Sequence, residues 1–151
     1  MPQDVDAARI PELKSIIASV LEEAARSGAS QAEADVSLQQ GLSTTVRLGE
    51  VETVEYHRDR GLGVTVYFGT RKGSASTADL SLNAVAATVA KACSIARYTA
   101  EDPYSGLADA AELAADIPDL DLDHAWDLPP EAAVEPAQRC EAAGRAVDRR
   151  I

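Results

Sequence analysis

Aromatic side chains are scarce in this 151-residue chain, which has one Phe, one Trp and four Tyr, 4 % of the residues. An aromatic-lined ligand cavity has little to be built from, and stacking platforms for bases are equally short of material. Positive charge is scarce too, with 14 Lys and Arg against 25 Asp and Glu and a formal net charge of -11. Such a surface repels phosphate backbones and anionic headgroups, so the expected partners include no nucleic acid and no membrane. Only Cys93 and Cys140 carry thiols, without C-x-x-C spacing. That leaves no disulfide framework and no finger-type zinc site, and both thiols are expected to stay reduced. The first ten residues include Asp4, Asp6 and Arg9 and no apolar run. No stretch reaches the roughly eighteen apolar residues of a membrane span, and the expected localisation is cytoplasmic, without a secretory signal. Large apolar residues are themselves limited: the hydrophobic share is 46 %, but 29 of those residues are alanine. The core will be thin.

What is present is periodic. Ile10, Leu13, Ile16, Ile17, Val20, Leu21 and Ala24 recur at helical spacing, with Pro11 near the start and Gly28 at the end, which predicts an amphipathic helix. From Ala32 the period changes to two. Ala32, Ala34, Val36 and Leu38 alternate with Glu33, Asp35, Ser37 and Gln39 in a strand that Gly41 breaks. Leu42, Thr44, Val46 and Leu48 form the next strand, and Gly49-Glu50 a type II′ hairpin signal before a third strand over 51–57. Arg58-Asp59-Arg60-Gly61 reads as a turn, Leu62, Val64, Val66 and Phe68 as one face of a fourth strand, 69–73 as another turn and 74–77 as a short fifth strand. Connections this short exclude a parallel sheet. Asp79 or Ser81 can cap a second helix with inner stripe Val85, Val89, Cys93 and Ala96, ending near Tyr98. The predicted fold class is α+β: a two-layer sandwich, with an antiparallel meander of about five strands carrying two helices on one face, followed by an acidic connector and a further helix.

Three segments follow from this pattern. Residues 1–100 form the α+β domain and 131–151 begin another helix, while 101–130 hold nine acidic residues, no Lys or Arg, and four of the seven prolines. That middle segment reads as a connector lying over the surface. The last helix places Ala133, Ala137, Cys140, Gly144, Val147 and Ile151 on one stripe, with Pro136 in its first turn or at a kink. The chain stops in mid-pattern, so the expectation is the front of a longer polypeptide, cut inside a helix that leads into a C-terminal domain. Left partly bare, this stripe predicts self-association of the chain or fraying of the last turns.

Several patterns invite chemical readings and fail on their neighbours. Asp119, Asp121, Asp123 and Asp127 are spaced like ligands 1, 3, 5 and 9 of a calcium loop, but His124 stands where the turn needs glycine and Pro130 where the bidentate glutamate belongs. Gly61-Leu62-Gly63 opens like a dinucleotide fingerprint, yet a strand follows it instead of a helix. The Gly69–Ser74 run has the composition of a phosphate loop in the wrong order. His57 and His124 are far apart in sequence and belong to no His-Glu-x-x-His arrangement, and no serine sits in a nucleophile-elbow pattern. Arg58 and Arg60 are expected at the opposite end of the fourth strand from Arg71 and Lys72, which divides that basic cluster. Cys93 reads as packed, and Cys140 likewise. No catalytic, cofactor-binding or metal-ligating residue is assigned.

Specific runs then carry a resemblance: Val46-Arg47-Leu48-Gly49-Glu50-Val51-Glu52, Arg60-Gly61-Leu62-Gly63-Val64, Lys72-Gly73-Ser74-Ala75-Ser76-Thr77 leading to Asp79-Leu80-Ser81, Ala96-Arg97-Tyr98-Thr99 with Glu101-Asp102-Pro103-Tyr104, and Arg139-Cys140-Glu141. In order and spacing they resemble the N-terminal portion of the PmbA (TldE) branch of the TldD/PmbA family, once called modulators of DNA gyrase. The resemblance implies a cytosolic metalloprotease assembly in which a TldD-like partner subunit carries zinc and a PmbA-like subunit pairs with it to act on unfolded peptides, including peptide-antibiotic precursors and antitoxins. In the family the zinc motif, His-Glu-x-x-x-His, lies beyond the segment matched, so no catalytic position transfers and no cofactor is expected in this chain. Pro136 is the residue that fits the family pattern least. Two readings stand: a non-catalytic, substrate-admitting or assembly domain of such a protease, and a free-standing peptide-binding or interaction module that uses an exposed sheet edge.

Overall fold

The computed structural model describes residues 9–122, 124, 126, 128–148 and 150. In chain order its elements are α1 (Ile10–Arg26), β1 (Gln31–Arg47), β2 (Glu50–Phe68), β3 (Arg71–Thr77), α2 (Leu82–Tyr98), a 3-10 turn at Ala110–Glu112 and α3 (Pro130–Val147). The protein is α+β, with an antiparallel sheet in the order β1-β2-β3. Contacts divide it into two units. One joins Asp59–Pro118 to the chain up to Leu38, and the other joins Gln39–Arg58 to the chain from Asp119 onward.

The first unit holds the core. α1 starts with Pro at its first turn and ends where Gly28, at φ +86, lets the N–H groups of Gly28 and Ala29 bond back to Ala25 and Ala24. It buries Val20 and Ala24 fully and half-buries Ile16 and Ile17, while Ile10 and Leu21 face solvent. Ser81 caps α2: its Oγ accepts from the Ala84 N–H, and its own N–H donates to Asp79 Oδ1 at 2.9 Å. The expected inner stripe, Val85, Val89, Cys93 and Ala96, is buried, joined by Thr88 and Ala92. These side chains close over Leu62, Val64 and Val66 of β2 together with α1, so both helices lie on one face of the sheet. Each fully buried Val or Leu contributes about 1.5–3 kcal/mol of transfer free energy.

Three strands replace the expected five. Gly41 does not break β1, and Arg58-Asp59-Arg60-Gly61 is not a turn but the middle of β2. At Gly41 and at Gly63, two residues beyond the supposed turn, the missing side chain makes room for a neighbour across the ladder. A Cβ on Gly41 would meet the His57 ring at 2.5 Å, and one on Gly63 would run into the Asp35 carboxylate. The 69–73 segment is likewise not a long turn. Gly69 (φ +64) and Thr70 suffice, Phe68 pairs with Arg71, and Gly73 lies buried inside β3. There a Cβ would fall inside 3.0 Å of Ala92 O and Ala96 N, so the glycine is what lets α2 approach the sheet backbone.

In the second unit the hairpin turns at Leu48-Gly49, one residue earlier than expected. With φ +56 and +83 it is a type I′ turn instead of type II′. α3 includes Pro136 in its interior and ends at Val147, with Asp148 in extended conformation as its C-cap. Ile151, the last residue of the expected stripe, lies outside the described residues. The half-buried face of α3 is Ala133, Val134, Ala137, Glu141, Gly144 and Arg145, while Cys140 and Val147 are exposed. The stripe has thus turned by about one position from the apolar pattern, and the cause is Glu141. The N–H groups of Leu48 and Gly49 both donate to its carboxylate, the second at 2.7 Å, and Gln138 Nε2 donates to Gly49 O at 2.9 Å.

Candidate functional site

The alternation that puts Val64 and Val66 into the core puts Gly61, Gly63, Thr65 and Tyr67 on the other face of β2. Around them stand Glu33, Asp35 and Ser37 of β1 and Lys72, Ser74 and Ser76 of β3. The face is polar and low. Thr65 Oγ1 and Ser74 Oγ are 2.9 Å apart, the Asp35 side chain lies over Gly63, and Ser37 Oγ is 3.5 Å from where a Gly61 Cβ would stand. Its aromatic side chain, Tyr67, is buried. The hydroxyl donates to Glu33 Oε1 at 3.0 Å and Lys72 Nζ stands 5.9 Å from the ring centroid. Burial first, then the hydrogen bond and negative charge of Glu33, holds the phenol above its ordinary range.

Next to this face runs the outer edge of β1. The strand is 17 residues long and has no proline, and among the described residues no strand pairs with its outer side. Its backbone groups offer an extended polypeptide the hydrogen bonds of one more strand. At the Gln31 end the following segment is tied down. Leu107 N–H donates to Gln31 Oε1 at 3.1 Å, Asp102 N–H to Thr70 O at 3.1 Å, and Arg71 bonds Glu101 at 3.1 Å.

The residues singled out from sequence fall in several places. Among the described residues no three His, Cys, Asp or Glu side chains come together as a metal site. Asp119 and Asp121 form a local turn in the connector, Asp121 N–H donating to Asp119 Oδ1 at 2.9 Å, and Asp123 and Asp127 lie outside the described residues. His57 is exposed on β2 against Gly41, and His124 is exposed in the connector. Arg58 and Arg60 are strand residues of β2, whereas Arg71 and Lys72 open β3 and pair with Phe68 and Tyr67 at the far end of β2, so the basic cluster is divided. Arg97 packs on the Phe68 ring, 5.0 Å from its centroid, and donates to Ser27 O at 2.8 Å. Cys93 is buried and Cys140 exposed, which corrects the packed reading of the second thiol. Asp79 is held below the usual carboxylate range, chiefly by the Ser81 N–H. Sequence reading missed the Tyr67–Glu33 pair and the hold of the hairpin on Glu141. The first had a faint signal, a tyrosine that follows Gly61, Gly63 and Thr65 on the polar register of β2. The second had none, because its donors are backbone groups.

Comparison with known proteins fits this architecture. The profile of PmbA/TldA metallopeptidase domain 1 matches residues 32–96, which run from β1 to nearly the end of α2. Metalloprotease PmbA of Escherichia coli O157:H7 is 52 % identical over 120 residues, 80 % of this chain and 27 % of that protein. The PmbA homolog of Haemophilus influenzae is 44 % identical over 140 residues, 93 % of this chain and 31 % of that protein. Among solved structures, TldE from Thermococcus kodakarensis shares the fold at TM-score 0.66 and 15 % identity over 89 % of this chain and 30 % of its own. A Bacteroides thetaiotaomicron protein described as a modulator of DNA gyrase does so at TM-score 0.67 and 23 % identity, over 74 % of this chain and 25 % of its own. The chain thus spans under a third of the length of these relatives. On the identity to PmbA and the first-domain match, it belongs to the PmbA branch of the TldD/PmbA metalloprotease family and carries that family's N-terminal domain.

Proposed function

We propose that this chain is the non-catalytic, substrate-admitting part of a PmbA-like subunit, which pairs in the cytoplasm with a TldD-like subunit and presents unfolded peptides to it. Zinc belongs to that partner. The part of this chain is to bind and orient the peptide. The substrates are extended chains such as peptide-antibiotic precursors and antitoxins.

The observation that carries the reading is the outer edge of β1, long, free of proline and bordered by a polar face with little side-chain relief. Strand addition draws its affinity from main-chain hydrogen bonds and is therefore tolerant of sequence, as a peptidase for unfolded chains requires. A fluorescent unfolded decapeptide and its scrambled version are expected to bind the chain with similar affinity. The same peptide N-methylated at alternate residues should bind at least tenfold more weakly. Equal binding by the N-methylated peptide removes the edge as the site. A free-standing peptide-binding module would use the same edge, and the TldD-like subunit separates the two readings. If this chain leaves that subunit's peptide turnover unchanged, the module is the better account.

A further inference from the structure

Where the open edge of β1 runs through the helix-covered unit, it carries charge of one sign. Residues 31–38 include Glu33 and Asp35 and no Lys or Arg. Ala32, Ala34 and Val36 pack against the core, which leaves Glu33 and Asp35 exposed on the polar face. Both carboxylates lean over β2, and neither meets a cation there. Glu33 Oε1 accepts from the Tyr67 hydroxyl and the Asp35 carboxylate lies over Gly63. Among the described residues no Lys or Arg forms an ion pair with either. Lys72, which stands by the Tyr67 ring, belongs to β3 at the opposite border of the sheet.

A strand added to this edge places alternate side chains about 5 Å from those of Glu33 and Asp35, close enough for charge to decide what pairs. A second copy of the chain meets its own pattern. In an antiparallel pair centred on Ala34 each Glu33 faces an Asp35, and moving the centre by one residue sets Glu33 against Glu33 or Asp35 against Asp35. Like charges directly opposite each other disfavour all three registers. Lys or Arg at every second position of an extended peptide reverses the sign of both contacts. We infer that Glu33 and Asp35 set the specificity of this edge: they reject a second copy of the chain and favour extended peptides with Lys or Arg at alternate positions. Backbone bonds supply the affinity, and the carboxylates lay a preference of charge over it. The inference rests on the peptide-binding reading above and narrows its substrate class.

Two end-blocked decapeptides, with Lys or with Glu at alternate positions and the same residues between, test this on the chain at low salt. The Lys peptide should bind about tenfold tighter, and the ratio should shrink as salt rises. A net charge of -11 attracts any cationic peptide, so the ratio is compared between variants of equal charge. Glu33→Gln/Asp35→Asn keeps an acceptor for Tyr67 and should lower the ratio about threefold. Glu12→Gln/Glu22→Gln, the same change of charge at exposed positions of α1, should lower it less. The first variant should also self-associate more strongly than wild type in sedimentation equilibrium. Equal ratios in the two variants, or self-association no stronger in the first than in wild type, would overturn the inference while the edge remains the peptide site. If neither peptide binds, or N-methylation at alternate residues weakens neither, the edge reading fails and the inference with it. Binding by this chain that is lost in a full-length PmbA-like subunit would overturn both, since the remainder of that subunit would then cover the edge.

Discussion

β1 and β2 pass through both units of this protein and are held by different means in each. Between Asp59 and Phe68, β2 buries Leu62, Val64 and Val66 under two helices, whereas none of the residues from Gln39 to Arg58 is fully buried. There the turn is fastened by a carboxylate. Both oxygens of Glu141 accept backbone N–H groups, and Gln138 returns a bond to Gly49. The same ladder is thus stabilised by apolar burial in one unit and by a few charge-assisted hydrogen bonds in the other. The first kind of hold is cooperative and the second local, so damage to each should be read out differently.

Substitutions in the helix-covered unit sharpen this contrast most. Val64→Asp puts an unpaired carboxylate at a position 2 % exposed, and should cost about 4 kcal/mol or prevent folding. Its neighbour Thr65 points to the polar face. Thr65→Asp loses the bond to Ser74 and should cost about 1 kcal/mol. Equal thermal shifts for the two would mean that the facing of β2 is wrong.

Gly73→Ala comes next. The new methyl meets the backbone of α2, which cannot yield as a side-chain tip would, and the expected loss is about 3 kcal/mol. Gly49→Ala has open space around it but must hold φ +83, which costs about 1 kcal/mol. Cys93 labelling by a thiol reagent reports the difference. It should accelerate strongly in Gly73→Ala and little in Gly49→Ala, while Cys140 reacts at once in every variant.

Breaking the clasp is the corresponding test of the second unit. Glu141→Gln should speed exchange of the Leu48 and Gly49 amides about tenfold and leave Cys93 as protected as before. Loss of Cys93 protection in this variant would mean that the two units unfold as one, and the contrast would be lost.

The smallest effect is a pH effect. Tyr67, raised by burial and by Glu33, favours its neutral form when folded. Its contribution to stability is complete below the ordinary tyrosine value of 10.0 and is lost as pH rises through the higher folded value. Absorbance at about 295 nm should show a late ionisation that Tyr67→Phe removes. Persistence of that step in the variant would assign it elsewhere.

How much of this was legible in the sequence depends on which groups make the contact. The α+β class, α1, the inner stripe of α2 and the facing of Val64 and Val66 all rest on side-chain periodicity, and all were readable. The strand count was not, because Gly41 and Arg58–Gly61 look like breakers when read along the chain. Across the ladder, Gly41 makes room for His57, and nothing in the local sequence records a cross-strand partner. Leu48 in a left-handed conformation was equally hidden, since a type I′ turn is usually announced by Asn or Asp at that position. The face of α3 was misjudged by one position for the same reason. Apolar pattern cannot foresee that a glutamate will be turned inward by two backbone N–H groups of a distant turn. For the candidate site, the free edge was anticipated as a class of feature, but which strand provides it waited for the three-strand order.

The small residues along α2, with Gly73 beneath them, have one more consequence. A helix that meets its sheet through Ala92, Ala96 and a bare glycine gains contact by proximity instead of by bulk. Unfolding then uncovers little apolar surface for each residue released. The heat capacity of unfolding should fall below the roughly 12–15 cal/mol/K per residue of ordinary globular domains, giving a broad, shallow stability curve whose maximum is hard to locate and whose cold limb lies far below freezing.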